Sequence, residues 1–119
     1  MEEVLINGGG KRFNDGKPPV ELVPPEAIWA MAAVLGAGMK KYGPRNWEAG
    51  MSWTICYGCL LRHLLRWMQG EELDRESGLS HMAHVLTNAA FLVAYQERQA
   101  GTDDRPVFVR DVEGTEAKP

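Results

Sequence analysis

Residues 26–42, EAIWAMAAVLGAGMKKY, make a run that is apolar on nearly every side of a helix. A surface helix keeps a polar face for water, so one without such a face must be covered on more than one side. The punctuation agrees with a helix. Pro24-Pro25 suits its entrance, because the first turn leaves unpaired the donor that proline lacks. Lys40 and Lys41 complement the negative end of the dipole, and Gly43-Pro44 stops the run. Whatever else the chain does, it must find partners for this segment.

Two further helices are predicted, and they are not enough. Ser52 can cap WTICYGCLLRHLLRWMQ, with Gly70 as the residue just past its end. Within it Ile55, Cys56, Cys59, Leu60, Leu64 and Trp67 recur at helical spacing as one stripe, and Arg62 and Arg66 lie one turn apart on another face. After the acidic, turn-prone GEELDRESGLS, Ser80 can cap a third helix that runs to about Gln99, and Gly101 ends it. Three helices of roughly 25–30 Å do not enclose a bundle core by themselves. The expected fold is therefore all-α, a helical bundle completed by self-association into a homodimer or homotetramer.

At 119 residues the chain has room for one domain. Residues 1–24 read as an irregular arm, given Gly8-Gly9-Gly10, Asp15-Gly16 and Pro18-Pro19. Residues 25–100 are the helical core, and 101–119 a tail whose apolar Val107-Phe108-Val109 is expected to dock as a strand. A hydrophobic fraction of 45% excludes compositional disorder. A net charge of −3 argues against broad nucleic-acid or membrane-surface binding, so neither is an expected partner. Any polyanion must be met locally. No run approaches the roughly 18 apolar residues of a membrane span, and MEEVLINGGG has acids where a signal peptide has bases; a cytoplasmic protein is expected.

The densest chemistry brackets the second connection, where His63, Glu71, Glu72, Asp74, Glu76, His81 and His84 fall within 22 positions. A short connection makes its helices antiparallel, so the end of one, the loop and the start of the next converge. His81, His84 and Asn88, at i, i+3 and i+7, share a helix face within about 60°. Imidazoles and carboxylates meeting there can hold a divalent cation, Mg²⁺ or Mn²⁺. The competing reading is a solvated acidic loop beside an exposed first-turn histidine. Cys56 and Cys59 with His63 permit structural zinc, but a lone CxxC flanked by Ile55, Leu60 and Leu61 reads better as core thiols. Asn46-Trp47-Glu48 can meet a nucleobase or pack over helix ends. No spacing fits a phosphate-cradling GxxxxGK[ST], and no GxSxG occurs.

Three stretches, KPPVELVPPEA (17–27), KKYGPRNWEAGMSW (40–53) and RHLLRWMQGEELDRESGLSHMAHVLTNAAFL (62–92), resemble the phage and bacterial dATP/dGTP diphosphohydrolase family, a MazG-like group of the MazZ type. The ordered set KYG-NW, RH, GE-D-SG and H-x-x-H-x(3)-N carries the resemblance. It implies an all-α nucleotide pyrophosphohydrolase that uses divalent cations, Mg²⁺ or Mn²⁺, to activate water against an α-phosphate. A purine dNTP, dGTP foremost, would become dNMP and pyrophosphate, in the host cytoplasm if the chain is phage-encoded.

MazG proteins carry ExxE on one helix and ExxD on the next. Here Arg62, His63 and Arg66 stand at the first place and His81 and His84 at the second, and only Glu71–Asp74 keeps an ExxD spacing. The expected metal shell is His63, Glu71, Asp74, His81 and His84, with Glu71 and Asp74 as catalytic carboxylates and Glu48 and Glu76 in reserve. Lys40, Arg45, Arg62 and Arg66 would meet phosphates, Asn46 and Trp47 the sugar or base, and Asn88 the substrate from the histidine face. Glu21 would accept from N1–H and N2–H₂ of guanine. A non-catalytic nucleotide-binding or helical interaction module is the alternative.

Overall fold

The computed structural model describes residues 3–6, 10–13 and 16–106. Its frame is three helices, α1 over Pro25–Tyr42, α2 over Trp53–Met68 and α3 over His81–Arg98, each within two residues of its expected ends. Both serine caps form. Ser52 Oγ accepts from the Ile55 N–H at 3.2 Å, and Ser80 Oγ from the Met82 and Ala83 N–H groups at 3.1 and 3.4 Å. Each satisfies donors that a bare helix start leaves unpaired, a contribution of about 1 kcal/mol.

α2 and α3 run antiparallel. His63 meets His81 and Cys56 meets Asn88, so seven residues back along α2 match seven forward along α3. The core lies in this hairpin: Trp53 and Cys56 of α2 are buried against Ala83, Thr87, Asn88 and Tyr95 of α3. Its polar members are satisfied. The Tyr95 hydroxyl donates to the Trp47 carbonyl at 2.6 Å, and Trp53 Nε1–H donates to the Ala100 carbonyl at 2.9 Å. The stripe expected on α2 needs correcting, because Ile55 is 66% exposed and Trp67 41%. α2 is apolar on two sides, and α3 takes the side that carries Trp53, Cys56 and His63.

α1 packs on α3 and buries none of its residues. Trp29 is 75% exposed and Ile28 58%. The cover that this apolar helix demands is not supplied by the described part of one chain. Among the described residues, no helix is long and apolar enough to cross a membrane.

The N-terminal arm departs from expectation. Rather than an irregular segment over 1–24, β1 (Glu3–Ile6) and β2 (Gly10–Phe13) pair antiparallel, Glu3 opposite Phe13 and Ile6 opposite Gly10. Glycine punctuation marks a break in regular structure and does not exclude short paired strands to either side of it. A 3-10 turn over Val20–Leu22 then leads into α1.

The tail is tied back to the start of α2. Thr102 bridges Ser52 in parallel register. Asp104 Oδ1 accepts from the Thr54 N–H at 3.0 Å, and Oδ2 accepts from the hydroxyls of Ser52 and Thr54 at 2.6 and 2.7 Å. Gly101, at φ +72°, lies so close to Met51 that a Cβ there would overlap the Met51 carbonyl. The docking strand expected at Val107–Val109 lies outside the described residues.

Candidate metal centre

The connection between α2 and α3 is a folded loop. The Asp74 N–H donates to the Leu79 carbonyl at 2.7 Å, the Gly78 N–H to the Asp74 carbonyl at 2.8 Å, and the His81 N–H to the Glu72 carbonyl at 3.0 Å. These bonds turn Asp74 inward. His63 arrives from α2 because it continues the Trp53–Cys56 face, and His81 is the first residue of α3.

His63, Asp74 and His81 each present one ligand atom, and these atoms all lie within 4.8 Å of one another. The Nδ1 atoms of His63 and His81 are 2.9 Å apart. Two nitrogens bound at right angles to one cation, at about 2.1 Å each, are separated by about 3 Å, so the pair already has the spacing that a shared ion requires. Two imidazoles and a carboxylate form a mixed donor set that suits a first-row divalent cation better than Mg²⁺.

Glu71 and His84, the other two members of the expected shell, stand beside these three and not at the same point. Glu71 Oε1 lies 2.8 Å from His81 Nε2, the nitrogen away from His63, and Oε2 pairs with Arg75 at 3.3 Å. The ring of His84 lies parallel to that of His63, 4.3 Å away with 6° between the planes. His84 Nε2 is 2.7 Å from Ser77 Oγ and 3.9 Å from Asp74 Oδ2.

Electrostatics favour the ligating forms of His63 and Asp74. Burial, and then the neighbouring His84, pushes His63 below the ordinary imidazole range. Burial lowers His84 too, against the upward pull of Asp74. The hydrogen bond with His81 holds Glu71 below the usual carboxylate range, helped by Arg75 and Arg66. Burial opposes ionisation of Asp74, yet the Ser77 amide and hydroxyl, with His84 and His63, outweigh it and hold that carboxyl low. At neutral pH the carboxylates are charged, while His63 and His84 are neutral and keep bare lone pairs, the form in which imidazoles ligate.

The expected substrate residues scatter. Arg62 and Arg66 are placed on α2 beside the centre, and the charge of Arg66 reaches Glu71. Lys40 is exposed near the end of α1, where its neighbour Lys41 pairs with Glu76 at 2.6 Å. Arg45 pairs with Glu48, which also takes Arg98, so both belong to the far end of α3, about 21 Å of helix from His84. The Trp47 ring stacks on Phe91 at 4.9 Å, with the Arg98 guanidinium 5.0 Å over it. That ring is used inside the protein, and Asn46 shares its 3-10 turn. Asn88 is buried, donating to the His84 carbonyl at 2.8 Å with Cys56 Sγ 3.5 Å from its Oδ1. Glu21 sits exposed in the Val20–Leu22 turn.

Cys56 is fully buried, and burial pushes its thiol up to about 11, far from the thiolate that zinc takes. Neither cysteine joins the metal-competent group among the described residues. An apolar cleft of about 520 Å³, lined by Trp53, Tyr57, Leu92 and Gln96 among others, opens nearer the other end of the hairpin. Tyr57 precedes His63 by about 9 Å of helix, so this cleft is not the mouth of the centre. Sequence reasoning missed Ser77 and Arg75. The run Asp74–Ser77 is a sequence in which an aspartate accepts from the amide three residues on, a turn that can be anticipated.

The family model described as dATP/dGTP diphosphohydrolase, N-terminal, matches residues 7–105. A dATP/dGTP diphosphohydrolase of Salmonella phage PMBT28 is 32% identical over 96 residues, 81% of this chain and 33% of that protein. The chain thus spans about a third of the length of this curated relative. No solved structure matches.

Proposed function

The chain belongs to the family of dATP/dGTP diphosphohydrolase N-terminal regions, and from that premise we propose that its α2–α3 hairpin is the metal centre of a nucleotide pyrophosphohydrolase. The substrate we assign is a purine deoxynucleoside triphosphate, dGTP foremost, cleaved to dNMP and pyrophosphate. The observation that carries the reading is the convergence of His63, Asp74 and His81 on one point.

A bound divalent cation, Mn²⁺ by preference over Mg²⁺, would neutralise phosphate charge and lower the pKa of water. His63, Asp74 and His81 would hold it. Glu71 steadies His81, while Arg62, Arg66 and Lys40 are the cations assigned to the negative charge of the phosphates. Arg45, Asn46, Trp47 and Glu21 are not among the residues gathered at the ion, and their assigned part is contact with the phosphates, sugar or base of the substrate, from this chain or from a second copy.

We assign that copy to the exposed face of α1, whose Ile28 and Trp29 need cover. We read residues 1–119 as one domain of such an assembly.

The test is a panel of nucleoside triphosphates incubated with the protein and Mn²⁺, with products identified. Pyrophosphate and a monophosphate, released fastest from dGTP, are expected. Orthophosphate alone would exclude attack at the α-phosphate, and tight binding without turnover would make the chain a nucleotide-binding module.

A further inference from the structure

We infer that Ser77 is the positioning residue of this centre, one residue whose hydroxyl and amide together fix two of its three ligands. The inference rests on the metal-centre reading above. Ser77 N–H donates to Asp74 Oδ2 at 2.8 Å, which sets the direction of that carboxylate. Ser77 Oγ accepts from the Leu79 N–H at 3.1 Å, which anchors the hydroxyl to the loop, and meets His84 Nε2 at 2.7 Å.

His84 offers no atom to the metal-competent group. Its part is mechanical, since its ring lies flat on that of His63 at 4.3 Å. Ser77 therefore pins His84, and His84 fixes the plane of His63. The third ligand, His81, is held independently by Glu71.

A serine matters here because of what stands next in line. Without the hydroxyl, Asp74 Oδ2 still stands 3.9 Å from His84 Nε2. A ring turned toward it would lift off His63 and draw the ligand carboxylate away from the cation. Alanine at position 77 keeps the N–H hydrogen bond to Asp74 and loses the hydroxyl's contacts with His84 and with the Leu79 N–H.

The experiment titrates metal-free protein with Mn²⁺ alone, by calorimetry, for the wild type, Ser77→Ala and Ser77→Thr. Ser77→Ala should bind about 10–100-fold more weakly, the usual effect of removing a partner that orients a ligand. Its metal-free melting temperature should stay near that of the wild type, and Ser77→Thr, which keeps the hydroxyl, should recover most of the affinity. His84→Phe keeps a flat ring on His63 without Nε2, and in that background Ser77→Ala should have no further effect. Wild-type affinity in Ser77→Ala would overturn the inference, as would equal loss in Ser77→Thr or an undiminished loss in the His84→Phe background. Absence of Mn²⁺ binding by the wild type would instead remove the metal centre itself.

Discussion

His81 Nε2, on a ring with no solvent exposure, lies 2.8 Å from Glu71 Oε1, and this contact decides which nitrogen of the ring is bare. A carboxylate beside Nε2 keeps the proton there, so Nδ1 carries the lone pair, and Nδ1 is the atom 2.9 Å from His63. Glu71 therefore acts behind a ligand. Glu71→Ala should weaken Mn²⁺ binding by about 10–100-fold, and Glu71→Gln, which still offers an oxygen to Nε2–H, by less. Calorimetric titration checks the order; equal and complete loss in both would make Glu71 a ligand in its own right.

Asp74 supplies the only negative charge in the group of three. Asp74→Asn should abolish turnover and the rise in melting temperature that Mn²⁺ gives the wild type, a stabilisation of about 2.7 kcal/mol at a hundred times the dissociation constant. The metal-free protein should melt within a few degrees of the wild type, because the carboxamide keeps one oxygen to which the Ser77 amide can still donate. Thermal scans with and without Mn²⁺ decide this, and a full Mn²⁺ shift in Asp74→Asn would take the residue out of the centre.

Asp104 makes stability depend on acid. Hydrogen bonds from Ser52 and then Thr54 hold its carboxyl at about 2, against an ordinary 3.8. A depressed carboxylate stabilises the fold fully above its unfolded value and loses that contribution as pH falls through its folded one. The wild type should therefore lose stability between about pH 4 and pH 2 through this group, and Asp104→Asn, weaker at neutral pH, should lose less over that window. Melting curves at stepped pH measure the difference; parallel curves for the two proteins would show that the clamp to Ser52 and Thr54 carries no weight.

The hairpin and its polar cluster are legible in the sequence because they rest on local rules. Ser52 and Ser80 are caps at fixed offsets, and a short connection forces His63 and His81 together. What escapes depends on contacts that periodicity does not encode. Ile55 and Trp67 match the helical spacing as well as Cys56 does, and only the azimuth of α3 shows which side is buried. Read along the chain, Trp47 is available to a base, whereas the 3-10 turn at Asn46–Ala49 lays it on Phe91. Asp104 sits 50 residues from Thr54, and no local pattern announces that clamp.

The exposed face of α1 predicts an assembly. Trp29→Asp places a charge where Ile28 and Trp29 ask for apolar cover, and it should shift the protein toward monomer in light scattering while leaving the helical content unchanged. A wild type that is monomeric at high micromolar concentration would leave α1 without the partner assigned to it.

Gly101 tests the tail. Its φ of +72° and its approach to Met51 both exclude a side chain, so Gly101→Ala should destabilise by more than about 1 kcal/mol. Denaturant unfolding measures this directly. A neutral result would mean that Thr102–Asp104 can leave α2 without cost to the fold.

His63 and His81, which bound the centre, are only 18 positions apart, and Glu71, Asp74, Ser77 and His84 around them come from the same hairpin. A centre built from such near neighbours in sequence needs one local closure and no docking of distant chain. None of the three ligand residues is drawn from α1, so their convergence needs no contact from that helix.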